Sequence, residues 1–346
     1  MRYYRIEFAK PDGTAYTFKS LNGQVLTSLL PQGPQTPQYG LTNPAALLVE
    51  FDLPMANYAN PDNNAWLRVW GLGLEDIGST ANLNGLTVSI YGGMARGLPL
   101  ANPAQAGLLV RGQVWQAYGN WVGTDQTIDM ILKPGGDFAG TYEKPGNFPF
   151  SWKAGTPLAD AIKQTLAVGM PKYPAKVQIS PKLVIGYDQV GYYQTLGDFA
   201  DFIYQLSLSI ITDDNYDGVI ISTNGDTILV IDGTVTPPPK QIAFQDLIGQ
   251  PTWFAPNQIS VKFVLRADLQ IGDVIQLPPA LFTTQLGAVP PGIPNRLTFS
   301  GNFKVMHLHH FGNSRQPDAA SWNTTAQCVL IQQQVQTGPG GLLGHV

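Results

Sequence analysis

The region from residue 241 to residue 331 constrains the fold more than any other stretch, because it is a run of short alternating segments separated by glycine and proline. Its clearest segments are residues 257–265 (Asn-Gln-Ile-Ser-Val-Lys-Phe-Val-Leu), 274–277 and 302–311. Alternation of polar and apolar residues over so few positions, bounded by turn formers, is typical of β-strands joined by tight turns. We therefore expect antiparallel β-structure in this region.

Composition favours a β-rich protein with a surface that partners cover. Gly and Pro number 37 and 28 of 346 residues, and charged residues make up 13%, against about 25% in an ordinary globular protein. Many turn formers and few charges suit such a protein, since a freely diffusing monomer usually keeps more charge for solubility. The formal net charge is −4 and no cluster of Lys and Arg occurs, which excludes a basic nucleic-acid-binding surface.

The first 135 residues predict one β domain. Residues 2–10 and 15–19 alternate on either side of Pro-Asp-Gly, which is typical of a hairpin. Further strands are predicted at residues 46–53, 66–71, 85–93, 108–119 and 127–132. Several short strands at nearly regular spacing favour a sandwich or a barrel. The stretch 31–40 contains three prolines and two glycines, and we expect a loop there.

The middle of the chain changes character and predicts two helices. Thr156 is expected to cap the first, with Pro157 at its first helical position and Gly169 at its end. The second is expected to begin at Thr195, with Asp198 three positions on, near the positive end of the helix. Its apolar positions recur at helical spacing and are Phe199, Phe202, Ile203 and Leu206.

Two further signals delimit the middle region. Asn224-Gly225 lies between two apolar segments and predicts a hairpin with a type I′ turn. Three consecutive prolines at 237–239 indicate a boundary to the last domain. No repeat with a period of 20–50 residues is evident, so any likeness between the first and last domains is expected in structure and not in sequence.

Four motifs near the end of the chain resemble the second tube-like barrel of the hub proteins of phage tail baseplates. They are Gly-Asp-Val-Ile-Gln-Leu at 272–277, Gly-Asn-Phe-Lys-Val from residue 301 followed by His310, Gly-Asn-Ser-Arg at 312–315, and Trp-Asn-Thr at 322–324. Residues 88–93 and 109–114 are similar to pieces of the first barrel of that family. The chain departs from the family at Asn313, where Asp is common, and in the loop 278–294, which we interpret as an insertion.

The resemblance implies a mainly β protein with a smaller α+β part. Two tube-like antiparallel β-barrel domains, at residues 1–135 and 240–335, would flank a helix-containing middle domain at 136–239, and residues 336–346 would form a flexible tail. It also implies a structural baseplate hub without enzymatic activity. Such a hub is a homotrimeric symmetry adaptor that joins the hexameric tail tube to the trimeric central spike.

The same resemblance implies the partners and the location. The partners would be the central spike protein, the tail tube or a tube-initiator protein, other baseplate proteins and the tape measure. The hub would surround the DNA ejection channel without binding the DNA specifically. It would belong to the virion, in the tail baseplate, after assembly in the host cytoplasm. No cofactor is expected.

Histidines form one candidate cluster. On a strand His307 and His309 point to one face and His310 to the other. Two neutral imidazoles on one face are able to share a divalent metal, with a third ligand supplied by another strand or subunit. His307 and His309 are therefore the metal candidates, although ordinary structural histidines in a barrel explain the pattern better.

Acidic residues supply two weaker candidates. Residues 213–218 (Asp-Asp-Asn-Tyr-Asp-Gly) match the opening of a calcium loop, but Asn224 stands where the bidentate Glu is needed. The neighbouring carboxylates Glu75 and Asp76 are the kind of pair that glycoside hydrolysis uses. We expect both segments to be solvated turns.

Hydrolase and nucleotide-binding signatures are absent from the sequence: it contains no Gly-x-Ser-x-Gly, no His-Glu-x-x-His and no phosphate-binding loop. The single cysteine, Cys328, is expected to be a buried apolar residue. Residues 2–8 are interpreted as a strand and not a signal peptide, and no stretch approaches the length of a membrane span.

Two alternatives to the hub remain open. The first is a tail-tip or secretion-system spike-base protein that shares the barrels. The second is a carbohydrate-binding or hydrolytic tail protein acting on the cell wall. Seven tryptophans could form a glycan platform, and Trp66 and Trp70 share one strand face, although packing in the core or at a subunit interface is the preferred explanation.

Overall fold

The protein is mainly β in a computed structural model, as the sequence predicts. The structure describes residues 2–21, 26–30, 42–55, 65–95, 102–134, 146–214, 216–278, 299 and 301–331. The predicted loop at 31–40, all but the first residue of the insertion at 278–294 and the tail at 336–346 lie outside these residues. None of the helices within the described ranges is long and apolar enough to cross a membrane.

Nineteen strands and three α-helices are described. The strands are β1 (Arg2–Ala9), β2 (Ala15–Tyr16), β3 (Leu26–Thr27), β4 (Val49–Met55), β5 (Ala65–Trp70), β6 (Thr87–Met94), β7 (Gly107–Val122), β8 (Asp125–Pro134), β9 (Phe148–Trp152), β10 (Ala175–Gln178), β11 (Gln189–Tyr193), β12 (Ile220–Asn224), β13 (Thr227–Ile231), β14 (Lys240–Gln241), β15 (Thr252–Ala255), β16 (Gln258–Val264), β17 (Val274–Gln276), β18 (Asn302–Asn313) and β19 (Trp322–Ile331). The helices are α1 (Leu74–Ile77), α2 (Leu158–Gly169) and α3 (Leu196–Ile210).

One large sheet joins the two ends of the chain. Its hydrogen-bonded order is β15-β16-β19-β18-β4-β5-β8-β7-β6-β1-β2, with β3 on β1, and with β17 and β14 continuing from β18. Two smaller sheets, β10-β13-β12 and β11-β9, belong to the middle of the chain. Among the described strands, the last strands of the chain join the first strands of the large sheet through one strand pairing, between β18 and β4.

Two sets of six strands follow the same path through this sheet. The first set is β1 and β4 to β8, and the second is β14 to β19. In each set the path visits the second, third, sixth, fifth, fourth and first strand of the set in that order. The sets differ in the last step, since β1 pairs antiparallel with β6 and β14 pairs parallel with β17.

The repetition extends to single hydrogen bonds. Gly85 and Gly272 precede the fourth strand of their sets and adopt φ of 84° and 86°, a left-handed conformation that favours glycine. Each donates its N–H over 2.8 Å, Gly85 to the carbonyl of Val114 and Gly272 to that of Val305. The ladder to the next strand shifts its register directly after each of these valines, so a β-bulge occupies the same place in both sets.

The first helix of the middle region is placed one residue later than the sequence predicts. Pro157 occupies the cap position of α2, and Thr156 donates its hydroxyl to the carbonyl of Lys153, 2.7 Å away. Gly169 is the last residue of the helix and Met170 follows it as the C-terminal cap. The predictions that Thr156 caps the helix and that Pro157 is its first residue are therefore wrong, because the Thr156 hydroxyl closes a turn with the preceding segment.

The second helix begins where the sequence predicts. Thr195 is the cap residue of α3, and its hydroxyl accepts the N–H of Asp198 over 3.0 Å. Phe199 and Ile203 are buried, and Phe202 and Leu206 pack against the same core. The capping residue and the spacing of the apolar residues were sufficient to place this helix.

The predicted hairpin at Asn224-Gly225 is confirmed, but its type I′ turn is wrong. Asn224 pairs with Thr227 between β12 and β13, so Gly225 and Asp226 are the central residues of the turn. Of these two only Gly225 has a positive φ, of 58°, whereas a type I′ turn requires positive φ at both and a type II′ turn at the first. The tip of this hairpin contacts the large sheet, since the N–H of Arg111 in β7 donates to the carbonyl of Gly225 over 3.2 Å. The hairpin thus anchors the middle region to the first set of strands.

The described residues form two hydrophobic cores. One runs from Tyr4 to Cys328 and takes residues from both six-strand sets. The other takes its buried residues from Phe148 to Val230, in the middle of the chain. The domain boundaries at 135 and 239 stay a prediction.

Candidate assembly surface

The two six-strand sets meet at a seam, which we define as β4 together with residues 308–313 of β18. Six residue pairs form it, from Leu308 opposite Met55 to Asn313 opposite Glu50. Residues 308–313 of β18 and residues 50–55 of β4 pair with each other, so neither stretch is an open edge. The seam makes one continuous antiparallel surface out of two separate parts of the chain.

Residues of the Gly-Asn-Ser-Arg motif close one end of the seam. Ser314 exchanges hydrogen bonds with Val49, accepting its N–H on the hydroxyl over 3.0 Å and donating its own N–H to the Val49 carbonyl over 2.9 Å. Arg315 donates to the carbonyl of Ala46 over 2.8 Å. Arg2, at the start of the chain, donates to the carbonyl of Asn313 over 2.6 Å. The motif therefore ties the second set to the beginning of the first.

A buried tryptophan packs beneath the seam. The ring of Trp322 lies 5.3 Å from that of Phe51, centroid to centroid, and its Nε1 donates to the carbonyl of Gly93 over 2.9 Å. Gly312 leaves room for this packing, because a Cβ there would lie 2.3 Å from the Phe51 ring. The Trp-Asn-Thr motif thus supplies a core residue shared by both sets.

The histidines lie on β18 as their sequence parity predicts. His307 is exposed and His309 is half-buried, on the face opposite the buried His310. The Nε2 atom of His309 is in hydrogen-bond contact with the carboxylate of Asp52 across the seam. No group of three potential metal-ligating side chains occurs among the described residues, and the shared metal at His307 and His309 stays a hypothesis.

His310 has a separate structural role. Its Nδ1 lies 2.9 Å from the hydroxyl of Thr324, inside the core. Burial, with a smaller contribution from His309, lowers the pKa of His310 from 6.5 to about 3. The imidazole therefore stays neutral in the folded protein at pH values where the unfolded chain takes up a proton.

We expect His310 to make the fold sensitive to acid. The free energy of unfolding has its full value above about pH 6.5 and falls as the pH drops toward 3, because only the unfolded state binds the proton in that range. The loss is at most about 1.4 kcal/mol per pH unit. Wild type should lose about 2 kcal/mol more than His310→Gln between pH 7 and pH 5. Urea unfolding of both proteins at the two pH values measures this, and equal losses would contradict it.

The carboxylate pair Glu75 and Asp76 is not the solvated turn that the sequence predicts. Both residues lie on the one-turn helix α1, where Glu75 is exposed and pairs with Lys19. Asp76 is buried and accepts the N–H groups of Lys19 and Ser20 over 3.0 and 2.9 Å. The error arose because these donors come from a segment more than fifty residues away, which local sequence does not show.

The acidic segment after α3 is used in contacts within the chain. Asp217 lies 3.2 Å from Nζ of Lys304 on β18. Tyr216 donates its hydroxyl to Asp232 over 3.3 Å. The first contact connects the middle region to the second set of strands, and the second lies within the middle region. They give the segment a structural use apart from calcium binding.

An aromatic row lies on the outer face of β5. Trp66, Arg68 and Trp70 share this face, as parity predicts, and are half-buried. The two tryptophans are therefore not core residues, and packing at a subunit interface, the other explanation preferred from the sequence, stays a prediction. The Arg68 guanidinium lies 5.7 and 5.4 Å from the two ring centroids and forms a salt bridge with Asp129. Because a cation already lies over both rings, they do not form an open platform for a sugar.

Cys328, the remaining candidate from the sequence, is a buried structural residue. Cys328 is buried in the core, and burial raises the pKa of its thiol to about 12. A thiol protonated at neutral pH is a poor nucleophile. The expectation of a buried apolar cysteine therefore holds.

Sequence reasoning missed two strand edges. Within the described residues β15 pairs with β16 alone, and β7 has no second strand beside it after Gln113. Exposed aromatic side chains occupy both edges: Tyr118 and Trp121 of β7 are 45% and 61% exposed, and Phe254 of β15 is 51% exposed. Exposed aromatic residues on an open edge are a signal for a protein partner.

Comparison with known proteins supports the class of this fold. No family model and no curated protein matches the chain. The 43 kDa tail protein of prophage MuSo2 from Shewanella oneidensis aligns with 6% identity over 95% of this chain and 98% of its own, with a TM-score of 0.50. A tail protein of Neisseria meningitidis has 10% identity over 95% and 96%, with a TM-score of 0.44. A type VI secretion component of E. coli has 9% identity over 83% and 74%, with a TM-score of 0.46.

The fold is therefore one that a prophage tail protein also has, since the Shewanella protein shares it across almost the whole of both chains. The resemblance to phage tail hub proteins, drawn from motifs in residues 241–331, is confirmed at the level of the fold.

Proposed function

We propose that this chain is the structural hub of a phage tail baseplate. In this proposal it forms a homotrimer that joins the hexameric tail tube to the trimeric central spike and surrounds the DNA ejection channel. Its partners are the spike, the tube or its initiator, other baseplate proteins and the tape measure. It is a virion component, assembled in the host cytoplasm, and has no enzymatic activity.

One observation carries the proposal, namely that two sets of six strands repeat the same path within one chain. A threefold assembly of such chains presents six similar units in a ring, which matches a sixfold tube on one side and a threefold spike on the other. In the proposal each set forms one tube-like barrel, with the first in residues 1–135 and the second in 240–335. The middle domain, 136–239, lies between them.

Charge is compatible with this function. The chain carries a formal net charge of −4, and three copies around a channel would not retain DNA through a basic surface. DNA then passes through without specific binding. The aromatic row of β5 is a candidate contact surface for another baseplate protein in this proposal.

We expect the purified full chain to have the mass of three copies in solution. Native mass spectrometry and sedimentation measure the mass, and negative-stain images of the same sample should show rings with a central hole. Addition of the neighbouring spike protein should give a complex with three copies of each. A chain that stays monomeric at every concentration, or a particle without a central axis, would contradict the hub.

A cell-wall assay separates the hub from the hydrolytic alternative. The purified protein should release no soluble fragments from peptidoglycan, while a lysozyme control does. Release of fragments that an acidic substitution abolishes would instead favour a wall-degrading tail protein.

A further inference from the structure

We propose that residues 118–122 of β7, the distal segment, pair with β15 of a second copy of this chain. This pairing would reproduce between copies the seam that β18 and β4 form within one chain. The inference rests on the ring of copies proposed above and identifies the two edges that close it.

The first step is that the two edges are equivalent to the two strands of the seam. β7 is the fifth strand of its six-strand set, as β18 is of the other, and β4 is the second strand, as β15 is. Within the chain, the fifth strand of the second set pairs with the second strand of the first set. The fifth strand of the first set and the second strand of the second set are the two that lack this partner in the described part of the chain.

The second step fixes the register on β7. The bulges that follow Val114 and Val305 align the β7–β8 hairpin of the first set with the β18–β19 hairpin of the second. Tyr118 lies four positions after Val114, and His309 lies four positions after Val305, so these two residues correspond. Since His309 lies opposite Pro54 in the seam, the partner of Tyr118 should be the β15 residue that corresponds to Pro54.

The third step finds that residue. Trp66 of β5 and Ser260 of β16 correspond, because they pair with equivalent positions on β8 and β19. Asp52 lies opposite Trp66, and Thr252 lies opposite Ser260.

Pro54 lies two residues beyond Asp52 on β4. On β15 the ladder shifts its register between Trp253 and Ala255, and Ala255 lies opposite Gln258. The position on β15 that corresponds to Pro54 is therefore Ala255, with Phe254 as the extra residue of the bulge.

The side chains at these edges suit pairing between proteins. Tyr118 and Phe254 are 45% and 51% exposed, and the distal segment also presents Trp121 and Val122, at 61% and 76% exposed. Neither the distal segment (Tyr-Gly-Asn-Trp-Val) nor β15 (Thr-Trp-Phe-Ala) contains a charge or a proline. Natural edge strands usually carry such residues to prevent association, so their absence from both edges indicates that these edges meet a partner.

One contact within the chain limits where the pairing begins. The N–H of Ala117 already donates to the side-chain carbonyl of Asn84 over 3.0 Å. In the seam the equivalent of Ala117 is Leu308, which pairs with Met55. Pairing between copies is therefore confined to residues 118–122, one position shorter than the seam.

A disulfide between copies tests the register directly. Pro54 has no N–H, so His309 and Pro54 form a pair without ladder hydrogen bonds, where opposite Cα atoms are about 4.5 Å apart. The corresponding Tyr118 and Ala255 fall within the Cα separation that a disulfide bridges. We expect the double variant Tyr118→Cys/Ala255→Cys, oxidised as the full chain, to run as covalent dimers and trimers on a non-reducing gel.

The matched control is Tyr118→Cys/Val168→Cys. Val168 lies on α2 and is 52% exposed, at least as accessible as the half-buried Ala255, but it is on neither edge. The native Cys328 is buried and does not compete. Circular dichroism of each variant verifies that it is folded, and cross-linking should be at least tenfold greater for the edge pair than for the control.

The outcomes separate the inference from the hub proposal. Cross-linked species specific to the edge pair support the pairing. A native trimer in which the edge pair cross-links no better than the control overturns the pairing and leaves the hub intact. A folded double variant that is monomeric by native mass and forms no cross-link, together with a monomeric wild type, overturns both.

Discussion

Trp322→Ala is expected to lower the free energy of unfolding by about 3–5 kcal/mol, the range for removing a fully buried aromatic ring. Trp322 is 2% exposed, packs on Phe51 of β4 and donates its Nε1 hydrogen to the carbonyl of Gly93. The guanidinium of Arg2 lies 5.8 Å from its ring centroid. The truncation leaves a cavity and removes the hydrogen bond to Gly93 at the place where the two six-strand sets meet.

Urea unfolding followed by fluorescence and circular dichroism measures this loss. Tyr187→Ala is the matched control, because it also removes a ring but from a side chain that is 59% exposed. The control should change stability by no more than about 0.5 kcal/mol. An effect of Trp322→Ala as small as that of the control would show that the seam is not a shared core.

Arg266→Met is expected to lower the free energy of unfolding by about 3–5 kcal/mol, as for a buried ion pair that loses one partner. The Arg266 side chain is 5% exposed and lies 3.2 Å from Asp246, which is 7% exposed. Arg266 also donates two hydrogen bonds of 2.7 Å to Asp268. Methionine fills the volume but leaves the Asp246 carboxylate buried, with Gln105 as its described side-chain donor.

A double-mutant cycle distinguishes lost charge pairing from lost packing. Asp246→Leu in the Arg266→Met background removes the stranded carboxylate, so the double variant should recover at least about 1 kcal/mol relative to Arg266→Met alone. Strictly additive losses in urea unfolding would contradict the coupling. The surface ion pair Lys153–Asp188, with side chains 67% and 52% exposed, is the control cycle, and its coupling should be below about 1 kcal/mol.

Features set by neighbouring residues were predictable from the sequence. The Thr195 cap depends on a hydrogen bond to a residue three positions away, and the presence of a hairpin at Asn224-Gly225, though not its turn type, depends on a few neighbouring residues. The parity of His307 and His309 depends only on strand alternation. Each of these interactions is closed within a few residues, and no knowledge of the rest of the fold is needed.

Features set by distant residues were not predictable. The seam joins residues hundreds of positions apart, and no local signal on β4 identifies β18 as its partner. Asp76 looked like a turn residue because its donors, Lys19 and Ser20, belong to another segment. The buried contact of Asp246 with Gln105 has the same cause, since the two are separated by 141 residues.

The repeated strand path was hidden from the sequence for a different reason. Its equivalent positions carry unlike side chains, such as Tyr118 and His309 or Trp66 and Ser260. What the two sets share is the backbone: the path, the bulge and the left-handed glycine before the fourth strand. A search for residue identity does not detect a repetition of this kind.

The long separation between the strands of the seam has a consequence during synthesis on the ribosome. Val49 and Ser314 are 265 residues apart, which corresponds to roughly 13–50 s at about 5–20 residues per second. Throughout this time the nascent chain exposes β4 without its partner strand. Glu50, Asp52 and Pro54 lie along that strand and are residue types that prevent unwanted strand addition. These residues thus protect β4 from pairing with other chains until β18 has been synthesised. The uncharged β15, in contrast, is synthesised when most of the chain has already been made.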